Sequence, residues 1–277
     1  MARELSGTIP APAPRRRTAH SEGELRTILE RAEQNLERAA LAFLESRGIS
    51  LELARTFHLG SGEFYGAARV VIPYTCGSFG ESILQLRYRQ ITVPRMKDGA
   101  ENKRNKWRAD KRQLGGRRLF NLPLLENWDA DDPRPLIITE SELDCMLLAG
   151  LGCAAVSVDG AGHRLLEPDL VLLKKVQNLI LAFDADEAGA KCTSRFRADL
   201  PAARVLTWPG AKDACELRTL VGAVEFERRM NTFLGKIEEG KRHNEEKPKA
   251  QLHGTSETRF PLCPPDSRLR GTIPKRS

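Results

Sequence analysis

The stretch "LIITESELDCML", residues 136–147, sets a short apolar run directly before three carboxylates, Glu140, Glu142 and Asp144. The run reads as a buried strand. A carboxylate at the end of a buried strand is costly unless it is hydrogen-bonded, paired with a cation or bound to a metal. What surrounds the stretch decides among these.

Downstream, short apolar runs alternate with helical stretches. Leu136 to Thr139, Cys153 to Val158, Leu179 to Phe183 and Arg204 to Trp208 are the expected strands. Such alternation predicts a parallel sheet covered by helices. In sheets of this kind functional residues collect just past the carboxyl ends of the strands. The first strand ends in Glu140, and the third runs into "AFDADEAGA", residues 182–190, which carries Asp184 and Asp186 to the same edge. Side chains two apart on an extended segment point to one side, so these two carboxylates can share an ion. An all-oxygen set suits Mg²⁺ or Mn²⁺ better than zinc. Taken alone, "DAD" is also what a helix cap looks like, with aspartates on the amino end of the next helix.

Upstream the texture differs. Leu29, Leu36, Ala40, Phe43 and Leu44 recur at helical spacing, and Gly48 stands where that helix ends. Ser50 is placed to cap a second short helix closed by Gly60. "ARVVIPY" and "ESILQLRYRQITV", joined through "TCGSFG", predict an antiparallel hairpin. The Pro- and Asp-rich "ENWDADDPRP" marks a boundary near residue 130. The organisation expected is a disordered basic, Pro-rich arm (1–28), a small basic α+β subdomain (29–134), an α/β domain (135–232) and a disordered polar tail (233–277).

With 277 residues, 40% of them apolar, the chain can bury an ordinary core. It has neither an apolar span of membrane length nor a signal core, so a cytoplasmic location without membrane contact is expected. The six cysteines form no Cys-x-x-Cys pair, which argues against a disulfide framework and a structural zinc site. The formal charge is +7, and residues 87–118 alone hold twelve Lys or Arg against three acids. That density points to a polyanionic partner.

Three segments, "IITESELDCMLLAGLGCAAVSVDGAG", "NLILAFDADEAGAKCTSRF" and "PGAKDACEL", resemble in order and spacing the Toprim domain of bacterial-type primases, topoisomerases and related nucleases. Glu140 to Asp144 match the Glu-Gly-x-x-Asp motif with Ser141 in place of glycine, and Asp184, Asp186 and Gly189 match Asp-x-Asp-x-x-Gly. Upstream, "LAFLESRGISLELARTFHLG", "ARVVIPYTCGSFGESILQLRYR" and "NKWRADKRQLGGRRLFNL" resemble the leading part of the bacterial primase catalytic core. The resemblance runs from about residue 36 to 222.

It implies an α/β fold in which a Toprim domain follows a smaller α+β subdomain, and an activity that builds RNA primers on single-stranded DNA. Glu140, Asp184 and Asp186 would be catalytic and hold Mg²⁺ or Mn²⁺, with Asp144 and Asp213 as further metal acids. Arg69, Arg87, Lys106, Arg117 and Arg118 would meet template or triphosphate, while Arg95, Lys97, Lys103 and Arg104 read as solvated charges. Trp107 and Phe120 are candidates for base stacking or for the core. The implied partners are single-stranded DNA and nucleoside triphosphates, with a replicative helicase or a separate zinc-module protein beyond them.

Cys215 stands where primases often have a second acid, which leaves a contact missing or supplied by Glu216. The zinc-binding and helicase modules that accompany such cores are not expected here. Two other readings stay open: an accessory nucleic-acid-binding protein with little catalysis, and a Toprim nuclease.

Overall fold

The computed structural model describes residues 20–78, 80–92, 106–110 and 118–245. Helix α1 (Glu22–Gln34) opens on Ser21, whose hydroxyl accepts the Glu24 N–H while the Glu24 carboxylate accepts the Ser21 N–H. The chain is therefore helical from residue 22, ahead of the limit of 28 expected for the arm. Its apolar stripe, Leu25, Leu29 and Ala32, explains why: those three side chains are buried.

The periodic run from Leu29 to Leu44 is two helices, because α1 stops at Asn35, whose side-chain amide donates to the Arg31 carbonyl, and α2 (Arg38–Ser46) restarts after it. Gly48 follows α2 with a φ of 82°, the left-handed conformation expected there. Ser50 caps α3 (Leu51–Thr56), also as expected. Gly60 does not close α3; it begins β1 (Gly60–Phe64). A side chain there would put its Cβ 2.3 Å from the Ala32 carbonyl carbon, so glycine is what lets β1 lie against α1.

Strands β2 (Ala67–Cys76) and β3 (Ser82–Gln90) form the expected hairpin, and β1 and β4 (Trp107–Ala109) extend it into an antiparallel sheet of order β1-β2-β3-β4. Helix α1 covers one face through contacts with Val71, Ile83, Leu86 and Tyr88. From the other face Val70, Ile72 and Tyr74 enter the same core as Ile137, Met146, Ile180 and Trp208. Residues on both sides of the Pro- and Asp-rich segment thus share one core.

After α4 (Leu122–Glu126) the chain runs β5 (Leu136–Thr139), α5 (Glu142–Gly150), β6 (Ala154–Ser157), α6 (Glu167–Leu173), β7 (Leu179–Ala182), α7 (Glu187–Asp199), β8 (Arg204–Val205), α8 (Ala214–Val221) and α9 (Ala223–Glu245). The second sheet is parallel, with order β6-β5-β7-β8. The expected mixed architecture is present. The last strand is shorter than the run Arg204 to Trp208, since only Arg204 and Val205 pair with β7 before the chain turns at Pro209 and Gly210. Helix α9 continues past residue 233, where the polar tail was expected to start. Phe226, Met230, Phe233 and Leu234, spaced four, three and one apart, hold it on the core. No described helix is long and apolar enough to cross a membrane.

The chain leaves β5 for β6 on one side and later returns to β7 on the other. This reversal opens a crevice at the carboxyl edge between β5 and its neighbours.

Candidate active site

The register pairs Thr139 with Ala182 and with Ser157, so the three central strands end level. Glu140 leaves the edge directly after β5, and Asp184 emerges just past β7. Ser141 caps α5 and donates its hydroxyl to Asp144, whose other carboxylate oxygen accepts the Cys215 N–H at 2.9 Å. Asp213 caps α8 by accepting the Glu216 N–H at 2.7 Å, and Asp186 caps α7 by accepting the Gly189 N–H at 2.9 Å. A Cβ on Gly189 would lie 2.0 Å from the Asp184 carbonyl oxygen, so only glycine allows α7 to start this tightly beneath Asp184.

Carboxylate oxygens of Asp144, Asp184 and Asp213 all lie within 4.8 Å of one another. The sequence grouped Asp184 with Asp186 instead. Asp186 uses Oδ1 for its capping bond, while its Oδ2 shares the Lys212 ammonium with Asp184, 2.9 Å from Asp186 and 3.0 Å from Asp184. The helix-cap reading of "DAD" holds for Asp186.

The acids line a cleft of about 350 Å³ together with Arg47, Arg87, Arg89, Lys106 and Trp107. Arginines and aromatic rings alternate beside it. The Arg87 guanidinium lies 4.6 Å from the centre of the Trp107 ring and that of Arg89 5.5 Å from it, while Arg89 also lies 5.1 Å from the Phe43 ring. Arg87 is only 8% exposed and bridges the two sheets. It pairs with Glu142 at 2.6 Å and Asp159 at 2.8 Å, and the Tyr74 hydroxyl donates to Glu142 at 2.6 Å.

The remaining basic residues scatter. Arg69, expected on template or triphosphate, is 1% exposed, donates to the Phe64 carbonyl at 2.9 Å and does not line the cleft. Arg118 pairs with buried Asp169 at 2.8 Å and does not line the cleft. Arg117, Arg95, Lys97, Lys103 and Arg104 lie outside the described residues. Phe120 belongs to the core, stacked on Phe57 at 5.5 Å between centroids, whereas Trp107 is half-buried at the cleft.

Residues 137–218 match the family model described as Toprim-like. This span covers the whole parallel sheet except Leu136, together with the acid edge. The parallel sheet and its acid edge match a Toprim-like domain.

Solved structures agree on the fold. The primase fragment of the bacteriophage T7 primase-helicase protein is 24% identical, with 67% of this chain and 71% of that chain covered and a TM-score of 0.51. A DNA primase domain from Pseudomonas aeruginosa is 22% identical over 76% and 78%, with a TM-score of 0.57. The DnaG primase catalytic domain bound to ssDNA is 20% identical over 75% and 79%, with a TM-score of 0.54. No curated protein matches the chain. The antiparallel sheet together with the Toprim-like domain thus has the fold of a primase catalytic core.

The acid edge of the Toprim-like domain fits a hard divalent cation. Its donors are all carboxylate oxygens, and Glu140 Oε2 is buried with no hydrogen-bond partner among the described residues. Burial first, and the neighbouring Asp184 second, push the Glu140 carboxyl up to about 7. Burial likewise raises Asp144 and Asp184, while the hydrogen bond from Lys212 lowers Asp186.

The sign of the resulting pH dependence follows from Glu140. Its folded-state pKa lies above the ordinary 4.5, so the folded protein holds the extra proton between these values and loses stability as pH rises through them. Without metal, Glu140→Gln is expected to be more stable than wild type at pH 8, by on the order of 1–3 kcal/mol. Near pH 4.5 the difference should vanish. Urea unfolding at the two pH values measures both.

Cys215 still reaches Asp144, to which its backbone N–H donates at 2.9 Å and beside which its thiol also lies. Glu216 does not replace a missing acid in the cleft: it is exposed and accepts the Lys212 backbone N–H. Four charged cleft residues were not picked out from sequence: Arg47, Arg89, Asp159 and Lys212. Lys212 had a legible signal, since it directly precedes the helix-capping Asp213 in the third acid segment. The others had none, because an arginine in an amphipathic helix or strand looks the same whichever way the fold turns it.

Proposed function

We propose that this chain is a primase-type catalytic core that joins ribonucleotides on a single-stranded DNA template in the presence of Mg²⁺ or Mn²⁺. The observation that carries this reading is the cleft itself, which Glu140, Asp144, Asp184 and Asp213 line together with Arg47, Arg89, Lys106 and Trp107. Acids for metal beside cationic and aromatic side chains for phosphates and bases are what nucleotidyl transfer needs. A fold neighbour, the DnaG catalytic domain, was solved bound to single-stranded DNA.

In the reaction a 3′-hydroxyl oxygen bonds to the α-phosphorus of a triphosphate, the bond from that phosphorus to the bridging oxygen breaks, and pyrophosphate leaves. Divalent ions held by Glu140, Asp184, Asp144 and Asp213, with Asp186 beside them, would neutralise the triphosphate and activate the attacking oxygen. Glu140 stands nearest to the attacking hydroxyl in this arrangement. There it would act as metal ligand or as general base toward the hydroxyl proton. Arg47, Arg89 and Lys106 hold template or triphosphate by charge, which gives sequence-independent, salt-sensitive affinity. Trp107 offers a ring face for a base. A replicative helicase or a zinc-module protein supplied separately would set the start site.

Pyrophosphate release tests the reading. It should require single-stranded DNA, ribonucleotides and Mg²⁺ or Mn²⁺ together. DNA binding with no pyrophosphate at any metal concentration would make the chain an accessory binder, and DNA shortened by Mg²⁺ alone would make it a nuclease.

A further inference from the structure

Lys212 occupies a singular place. Its ammonium lies 3.0 Å from Asp184 Oδ2 and 2.9 Å from Asp186 Oδ2, where an ion shared by the two carboxylates would sit. Its backbone is fixed on both sides: its carbonyl accepts the Ala185 N–H at 2.7 Å, and its N–H donates to Glu216. The side chain is nonetheless 46% exposed. Beside it opens a second hollow of about 350 Å³, lined by Ser46, Arg47, Asp213, Glu216 and Thr219 as well as Lys212. A pinned backbone, a flexible four-carbon stem and an adjoining space with the Glu216 carboxylate in it make a side chain that can leave the acid pair without disturbing the fold.

A divalent cation binds carboxylate oxygens at about 2.0–2.1 Å and draws on the same negative charge that holds the ammonium. The two cations repel each other, so they cannot share the pair at full strength. We infer that Lys212 is the resident counter-cation of Asp184 and Asp186, and that it swings toward Glu216 when a divalent ion is bound at the acid edge. Lys212 then stabilises the metal-free protein against repulsion between its own acids and sets the concentration at which metal loads. The inference rests on the metal reading given under Proposed function.

The experiment is a Mn²⁺ titration, read by electron paramagnetic resonance, on wild type, Lys212→Gln, Lys212→Arg and Asp184→Asn. Thermal unfolding is followed with and without Mn²⁺. Lys212→Gln is expected to bind Mn²⁺ about tenfold more tightly than wild type, since the ion no longer competes with a charge a few ångströms away. Lys212→Arg, which keeps the charge, should stay near wild type. Without metal Lys212→Gln should melt below wild type, and saturating Mn²⁺ should close that gap. Equal or weaker Mn²⁺ affinity in Lys212→Gln, or a gap that metal leaves open, overturns the inference. Asp184→Asn separates the two claims. If it abolishes Mn²⁺ binding while Lys212→Gln changes nothing, the inference alone falls; if it leaves the affinity unchanged, the metal assignment falls and the inference with it.

Discussion

Glu140→Gln is expected to lower template-dependent ribonucleotide transfer by at least about a thousandfold while leaving the protein folded. The substitution keeps the shape of the side chain and removes its charge and its capacity to take a proton. A positioned general base contributes about 10²–10⁴ in rate, and loss of a metal ligand adds to that. The loss cannot be attributed to unfolding, because the carboxylate being removed is a burden on the metal-free fold: it is half-buried, its Oε2 lacks a hydrogen-bond partner among the described residues, and it lies beside Asp184. Activity and stability should therefore move in opposite directions, with Glu140→Gln slower and, at pH 8 without metal, harder to unfold. A variant that keeps more than a tenth of wild-type pyrophosphate release would remove Glu140 from the reaction.

Arg87→Met should have the largest effect on stability, a loss of about 3–5 kcal/mol. Arg87 reaches from the antiparallel sheet into the Toprim-like domain and lies against Glu142 and Asp159, whose side chains are 2% and 10% exposed. Removing the guanidinium leaves the Glu142 and Asp159 carboxylates and the Tyr74 hydroxyl without their cation, with Glu142 only 2% exposed. Methionine fills much of the volume, so the cost is electrostatic and not a cavity. Replacing Glu142 by Gln in the Arg87→Met background should return part of the loss, the mark of a coupled pair. Denaturant unfolding of the four proteins measures the coupling. A loss below about 1 kcal/mol would mean that Arg87 is free for ligand and does not join the sheets.

The acid edge was legible because chemistry and topology coincide there. A carboxylate closing a buried strand is costly, and two such strands in a parallel sheet must end on the same side, so Glu140 and Asp184 meet despite their separation in sequence. Periodicity carried the hairpin, the parallel strands and the Ser50 cap for the same local reasons. What escaped was decided by tertiary contact. Gly60 looked like a helix end, yet its missing side chain serves the approach of β1 to α1. Arg69 and Arg87 look alike in sequence, but pairing within the antiparallel sheet turns Arg69 into it and Arg87 toward the Toprim-like domain. Asp144 was expected only as a supporting acid; the bond from the Cys215 backbone draws it into the closest carboxylate group. Lys212 was overlooked although it stands beside Asp213 in the third acid segment, because that place does not reveal that it will meet Asp184 and Asp186.

The central claim is that this cleft copies a template. The most direct test is to incubate the protein with Mg²⁺ or Mn²⁺, ribonucleoside triphosphates and short single-stranded DNAs of differing sequence, and to identify the products by mass. Dinucleotides bearing a 5′-triphosphate, with a composition that follows the template and absent with Glu140→Gln, are the predicted result. DNA that is bound but never copied by the wild-type protein, or that returns shortened, would contradict it.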